Sequence, residues 1–323
     1  MEHTQIRAKL NASTVTQFIL LRFYEIPNLQ GFLFGMFLII YLIILIENSF
    51  ITVITRIDPA LQKPMYFFLA NFSTLEVCYV SVTLPRILFN IATQGRHISV
   101  LSCGMPTYFY LMLGVTECFL LAVMSYDRYV AICNPLHYPL VMNPTKWTQL
   151  AAGSWLGGIP VQIVQTCQIF SLHFCNSNQI EHFFCDLLPI LKLACGDTSM
   201  HELAVYLVAI LFAVVPFIMR NASYSKIIAT ILRLPTATGQ TKAFSTCSSH
   251  LLVVFLFFGS ASVTYSRPKS THFPGTDKVF SLFYTIVTPM FNSLIYSFRN
   301  NNVIGALRKL LCRKECQHVC SKV

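Results

Sequence analysis

Residues 31–55 read GFLFGMFLIIYLIILIENSFITVIT, a run in which Glu47 is the only charged residue. An α-helix needs about 20 mostly apolar residues to cross the hydrocarbon of a bilayer, where its backbone must satisfy its own hydrogen bonds. The run is long enough and apolar enough to meet that requirement. It therefore predicts a membrane-spanning helix.

Six more apolar segments follow along the chain. Together they give seven predicted spans, at residues 31–55, 65–90, 101–126, 147–170, 203–231, 246–265 and 278–298. The fifth is the poorest, because Arg220 and Asn221 interrupt it. We predict an all-α membrane protein with a seven-transmembrane helix bundle at 31–298, an N-terminal tail at 1–30 and a C-terminal tail at 299–323.

The composition supports this class of protein. Hydrophobic residues make up 54% of the 323 residues and charged residues 11%, which is less than half of the roughly 25% usual in soluble domains. So few charges could not cover the surface of a soluble protein. The net charge of +10 would suit nucleic acid only if it formed one basic face, and here the basic residues lie between apolar runs. We expect membrane lipid as a partner and no nucleic acid.

The basic residues also predict the orientation. With the N-terminus outside, more of the 23 Lys and Arg residues fall on inner segments than on outer ones, as the positive-inside rule requires. Asn11 begins an Asn-Ala-Ser glycosylation sequon in the tail that would then be extracellular. We therefore expect a multi-pass plasma-membrane glycoprotein with an extracellular N-terminus and a cytoplasmic C-terminal tail.

Four cysteines lie on the predicted outer side. Cys103 begins the third span, and Cys175, Cys185 and Cys195 lie in the long segment after the fourth. Disulfides persist in an oxidising compartment, but four cysteines permit three pairings and their spacing does not choose among them.

The cytoplasmic tail contains a short amphipathic pattern. Val303, Leu307, Leu310 and Leu311 share one face if residues 300–311 are helical. This predicts a short amphipathic C-terminal helix on the inner membrane surface.

Five strings resemble motifs of the odorant-receptor family of seven-helix G-protein-coupled receptors. They occur in family order, as PMYFFL at 64–69, MSYDRYVAICNPLHY at 124–138, SY at 223–224, KAFSTCSSH at 242–250 and PMFNSLIY at 289–296. The resemblance also implies two disulfides, Cys103–Cys185 and Cys175–Cys195.

The resemblance implies an odorant receptor whose ligand is a small, volatile and mostly apolar molecule. The receptor would activate a heterotrimeric G protein of the olfactory stimulatory type and raise cyclic AMP. Matching positions to the family places the ligand in the outer half of the bundle, among uncharged residues of four spans: Tyr110, Leu111, Gly114, Val115, Val208, Phe212, Phe258, Ser262, Tyr265 and Thr285.

It also implies a G-protein switch at the inner end of the third span. Asp127 would hold Arg128 at rest and release it to the G protein when the helices open. Tyr129 belongs to the same string, and Tyr224 and Tyr296 resemble the residues that repack around this arginine.

Two carboxylates, Glu76 and Glu117, lie deep in the second and third spans. Burying a charge in a bilayer costs a few kcal/mol, so such residues indicate function. The resemblance associates both with a sodium ion beside Asn48 of the first span, and the alternative is a protonated carboxyl that is hydrogen-bonded between helices. The same pair would also suit an ion-coupled transporter or channel, although we find neither paired repeats nor broken helices in the sequence.

We find no nucleophile or metal-ligand constellation in the sequence, so we expect neither an enzyme nor a cofactor other than the sodium ion. Glu47, Phe258 and Ser293 depart from the family pattern, which usually has glycine, tyrosine and proline at these positions. Together with Arg220 they leave open a tuned activation equilibrium or a poorly functional receptor.

Overall fold

The computed structural model describes residues 17–20, 27–93, 97–174, 179–180, 185 and 187–233, isolated positions from 236 to 255, and residues 290–292, 295 and 303–306. Three long helices form the first half of the bundle: α1 (Pro27–Ile57), α2 (Pro64–Thr93) and α3 (Val100–Cys133). α1 packs along α2, and α2 packs along α3. Asp58 caps a single 3-10 turn, Pro59–Leu61, between α1 and α2.

The fourth predicted span is two helices rather than one. After a short α4 (Tyr138–Val141), α5 (Pro144–Leu156) and α6 (Ile159–Phe170) are separated at Gly157 and Gly158. A β-carbon built on Gly158 would lie 2.9 Å from Cγ1 of Val115, closer than side chains tolerate. The break therefore occurs where α6 approaches α3 too closely for any residue but glycine.

The fifth predicted span is continuous through Arg220 and Asn221. It follows the short α7 (Leu187–Leu191) and consists of α8 (Ser199–Ala209), a π-helical turn (Ile210–Val214) and α9 (Val215–Leu232). Pro216 lies just after the π turn, and proline can neither donate to the preceding helical turn nor fit beneath its carbonyl. The wider π turn accommodates that proline.

Four helices of the described residues are long and apolar enough to cross a membrane: Gln30–Ile57, Pro64–Thr93, Val100–Cys133 and Ser199–Leu232. They confirm the predicted all-α membrane helix bundle. The sixth and seventh predicted spans lie mostly outside the described residues, although 251–253 and 290–292 are helical. Residues 303–306 of the predicted tail helix are also helical, with Val303 and Ala306 buried against the core.

A three-stranded sheet closes the end of the bundle at which α3 begins. β1 (Gln17–Leu20) is the central strand, antiparallel to β2 (His97–Ser99) and parallel to β3 (Gln179–Ile180). We call the sheet, together with the hydrophobic cluster beneath it, the cap. β1 lies in the segment predicted as a tail and could not be predicted, because its pairing partners are far away along the chain.

Phe18 of β1 anchors the cap. Its side chain is 0% exposed, and its ring lies edge-on to Phe174 with the centroids 5.2 Å apart. Ile98, Ile180 and Leu187 belong to the same buried cluster. Three distant parts of the chain therefore share one small hydrophobic core at this end of the bundle.

Candidate functional site

One disulfide ties the cap to α3. Cys103 and Cys185 are bonded, with their Cα atoms 5.6 Å apart, and this confirms the first predicted bridge. The Thr107 hydroxyl donates to the carbonyl of Cys185 at 2.9 Å, one turn further along α3. Cys195 is also disulfide-bonded, while its predicted partner Cys175 lies outside the described residues, so that second pairing stays a prediction.

The predicted ligand residues of α3 face different neighbours. The ring of Tyr110 packs against Tyr79 of α2, with the centroids 5.3 Å apart, and Leu111 packs on two hydrophobic clusters. Val115 is buried against Gly158. A β-carbon on Gly114 would have no atom of the described residues within 4 Å, so among these residues the glycine borders open space.

The remaining predicted ligand residues come from later spans. Phe212 lies in the π turn, where its ring is edge-on to Phe119 of α3 at 5.6 Å. Val208, in α8, is partly exposed. The other four lie outside the described residues: Phe258, Ser262, Tyr265 and Thr285.

A cavity of about 30 Å³ lies between α2 and α3 beneath the cap. It has room for water but is far smaller than the several hundred Å³ of a typical ligand site. Of the predicted ligand residues that the structure describes, only Tyr110 lines it. Its lining consists of Val82, Thr83, Arg86, Ile98, Ser102, Cys103, Pro106, Thr107, Tyr110 and Cys185.

The predicted switch lies at the opposite end of α3. The buried carboxylate of Asp127 accepts a hydrogen bond from the Tyr138 hydroxyl at 2.8 Å and is attracted to Arg128 through space. Nε of Arg128 is buried without a hydrogen-bond partner among the described residues. Burial, and then the nearby Asp127, raises the pKa of Tyr138 above its ordinary value, so this phenol remains a donor at neutral pH. The sequence string included Tyr138 but gave no sign of this role.

α9 packs beside α3 at the same end. Nζ of Lys226 lies 5.9 Å from the ring centroid of Tyr129, and Thr230 Oγ1 lies 3.3 Å from Cys133 Sγ. Tyr224 is 3% exposed, and its hydroxyl has no hydrogen-bond partner among the described residues, although Ser125 and Arg128 lie nearby. The structure therefore packs Tyr129 against the hydrophobic cluster of Tyr224 and brings Arg128 near it, whereas Tyr296 lies outside the described residues.

The two intramembrane carboxylates share one amide. Glu76 and Glu117 are 0% and 4% exposed, and Nδ2 of Asn292 donates to Glu76 Oε1 at 2.8 Å and to Glu117 Oε1 at 3.4 Å. We call these three residues the polar cluster. The sequence predicted both carboxylates but assigned no role to Asn292, whose polarity within an apolar span was the available signal.

Asn48 has a local partner. Its Nδ2 donates to the Ile44 carbonyl at 2.9 Å, one turn back along α1. Its Oδ1, like Glu76 Oε2 and Asn292 Oδ1, is buried without a hydrogen-bond partner in the part of the chain that the structure describes. Such oxygen atoms are suitable ligands for a hard cation, so the sodium site at Asn48, Glu76 and Glu117 stays a prediction. Across the described part of the chain, no group of three His, Cys, Asp or Glu residues is arranged to hold a metal ion.

Comparison with known proteins identifies the family. The olfactory receptor family model matches residues 37–314. Human olfactory receptor 10AG1 is 55% identical over 297 residues, which cover 92% of this chain and 99% of that protein. Human olfactory receptor 10A7 is 49% identical, covering 95% and 97%, and rat olfactory receptor 226 is 44% identical, covering 93% of both.

This match extends through the polar cluster, the switch region and all of the cap except β1, and it includes all but the ends of the chain. It decides against the transporter or channel hypothesis that Glu76 and Glu117 had left open. The chain is a multi-pass membrane protein that belongs to the olfactory receptor family of G-protein-coupled receptors.

Proposed function

We propose that this chain is an odorant receptor that couples to a heterotrimeric G protein of the olfactory stimulatory type and raises cyclic AMP. The observation that carries the proposal is the arrangement where α3 meets α4 and α9. There Asp127 accepts from Tyr138, while Arg128 lies beside the buried Tyr224. Two adjacent charged residues of α3 that face partners on separate elements, Tyr138 of α4 and Tyr224 of α9, form a two-state element that a bound ligand can bias.

The proposed ligand is a small, volatile, mostly apolar molecule with one hydrogen-bonding group. It would bind toward the cap end of the bundle, where the ligand residues proposed from α3, α8 and the π turn carry no charge. The open space beside Gly114 and the aromatic ring of Phe212 support this position. Burying about 10 CH2 groups contributes roughly 8 kcal/mol to the free energy of binding. The freedom that ligand and receptor lose on association opposes this gain, so we expect a dissociation constant near micromolar.

The function is tested by cyclic AMP accumulation in cells that contain the olfactory stimulatory G protein. The full chain is screened with a chemically diverse odorant library, and surface staining is matched between variants. We expect a response that Arg128→Ala abolishes. Arg233→Ala is the matched control, because Arg233 is an exposed arginine at the end of α9. The proposal fails if no odorant acts on well-stained cells or if Arg128→Ala responds normally.

The ligand position has a separate test. Gly114→Leu places a side chain in open space, so folding and surface staining should be unchanged while the space for ligand shrinks. We expect the odorant concentration for half-maximal response to rise at least about tenfold, equivalent to roughly 1.4 kcal/mol of lost binding. An unchanged concentration would place the ligand elsewhere.

The proposed location is the plasma membrane, with the N-terminus extracellular. Asn11→Gln should then remove an N-linked glycan, seen as a faster-migrating band that glycosidase no longer shifts. A wild-type band insensitive to glycosidase would count against this orientation.

A further inference from the structure

Arg86 is a basic residue of α2, two turns before that helix ends at Thr93. Its Nε is buried without a hydrogen-bond partner among the described residues. Residues 77–116, which include the rest of α2 and the first half of α3, contain no Asp or Glu. Glu76 lies ten residues before Arg86, or about 15 Å along the helix axis. No carboxylate of these two helices therefore lies close enough to balance the charge of the guanidinium.

The cavity between α2 and α3 borders this arginine. Thr83 and Arg86 of α2 line it from one side, and Ser102 and Thr107 of α3 line it from the other. Among the described residues that form its wall, none is Asp or Glu. A small space with a positive charge in its wall, no negative charge and largely apolar surroundings concentrates anions.

The lining hydroxyl groups differ in what they can offer an anion. Thr83 and Thr107 already donate to backbone carbonyls, so their protons are committed. Ser102 Oγ accepts from the Ser99 hydroxyl at 2.8 Å, which leaves the proton of Ser102 free to be donated. Arg86 and Ser102 are therefore the two side chains that can donate to a bound anion, and they lie on two different helices.

The start of α3 strengthens the positive potential and gives access to the cavity. Ser99 caps the helix, and Ser102 and Cys103 lie in its first turn, where the helix dipole carries a partial positive charge. Ser102 is exposed, so the wall of the cavity reaches the surface beside the cap. An ion can therefore enter without crossing the bundle.

The size of the cavity limits its ligand. One water molecule needs about 10–15 Å³, so a volume of about 30 Å³ has room for a single small anion or for one carboxylate group. It has no room for a whole organic ligand. Water alone would satisfy the donors, but it would not balance the charge of the guanidinium.

We propose that this cavity is a monovalent-anion site, in which Arg86 and Ser102 bind a free chloride ion or the carboxylate group of a small organic acid. The bound anion would join α2 to the start of α3 directly beneath the cap and so stabilise the resting protein. The inference does not depend on the proposed odorant or G protein, because the site can be measured without either.

The test measures the thermal unfolding midpoint of the full-length receptor in nanodiscs of uncharged lipid. Sodium chloride replaces sodium isethionate, whose larger sulfonate anion does not fit the cavity, at constant sodium concentration and ionic strength. We expect the Tm of the wild type to rise and then saturate, by about 3 °C when chloride reaches ten times its Kd. A second series with sodium acetate in place of chloride tests the carboxylate group.

Four variants assign the effect to the cavity. Arg86→Gln should abolish the saturable rise, and Arg86→Lys should keep part of it because the charge remains. Ser102→Ala should raise the anion concentration for the half-maximal rise about tenfold, since a hydrogen bond to a charged group is lost. Lys192→Gln is the matched control, because Lys192 is an exposed cation beside the cap cluster and does not line the cavity; it should behave as the wild type.

The two salts identify the source of the anion. A saturable rise with chloride indicates the free ion, and a rise with acetate alone indicates the carboxylate of an organic acid; either result supports the site. The proposal is overturned if neither salt gives a saturable rise, since the cavity then holds only water, or if Arg86→Gln responds as the wild type does. If Arg86→Gln does not fold, Ser102→Ala decides, and an unchanged half-maximal concentration overturns the site.

Discussion

The Asp127 carboxylate of α3 accepts a hydrogen bond from a residue of the next helix. The Tyr138 hydroxyl of α4 donates to it at 2.8 Å, and burial raises the pKa of that hydroxyl, so the bond persists across the neutral pH range. Besides its backbone hydrogen bonds, the α3–α4 connection therefore contains one partly buried hydrogen bond to a charged acceptor, a kind worth about 1.5–3 kcal/mol.

We expect Tyr138→Phe to lower the free energy of unfolding by about 1–3 kcal/mol, because a buried acceptor loses its donor. Thermal unfolding of the purified receptor measures this change. Tyr126→Phe is the control, since Tyr126 is exposed on the same stretch of α3. Equal midpoints for the two variants would mean that the bond contributes nothing measurable.

Individual residues also show what the sequence could and could not predict. Glu76 and Glu117 were predictable because a carboxylate in an apolar run is conspicuous, and their shared Asn292 was not, because its partners lie on two other helices. Arg220 was visible only as an interruption of the fifth span. A hydropathy sum does not register which face of a helix a residue occupies, and Arg220 lies on the buried face of α9.

The fourth span is the element whose shape depends most on glycine. α5 ends and α6 begins at Gly157 and Gly158, and Gly158 lies against Val115 of α3. The apolar run at 147–170 predicted one continuous helix, because a run of hydrophobic residues carries no information about how closely another helix approaches.

We expect Gly158→Ala to destabilise the receptor by about 1–3 kcal/mol, because the added methyl group overlaps Val115. Gly153→Ala is the control within α5, where no atom lies within 4 Å of the new carbon, and it should be neutral or slightly stabilising. Val115→Ala added to Gly158→Ala should recover part of the loss in Tm. A Gly158→Ala protein as stable as the wild type would contradict this close approach.

At the scale of the whole molecule, the cap joins the N-terminal segment, the α2–α3 connection and the long loop after α6. The disulfide of the cap was predictable from the family resemblance. Its sheet was not, because the four residues of β1 pair with strands that are far away along the chain. Both the bridge and the sheet constrain long loops, which is where cross-links reduce the freedom of the unfolded chain most.

We expect Cys185→Ser to destabilise the receptor by about 2–5 kcal/mol, since the bridge closes a loop of 82 residues. Surface staining should fall sharply. Cys167→Ser is the control, because Cys167 is an exposed free cysteine on α6. Staining that is equal for the two variants would show that the bridge is dispensable.

Arg220 also bears on how the chain is made. The ribosome delivers α9 to the membrane with a guanidinium near its middle and no acidic residue between 203 and 232, and such a charge disfavours insertion by about 2.5–3.5 kcal/mol. α3 has by then been synthesised, and the buried face of α9 that carries Arg220 packs along it. The biogenesis of the fifth span thus depends on a helix translated about a hundred residues earlier, and a chain lacking α3 should deliver α9 to the membrane less efficiently.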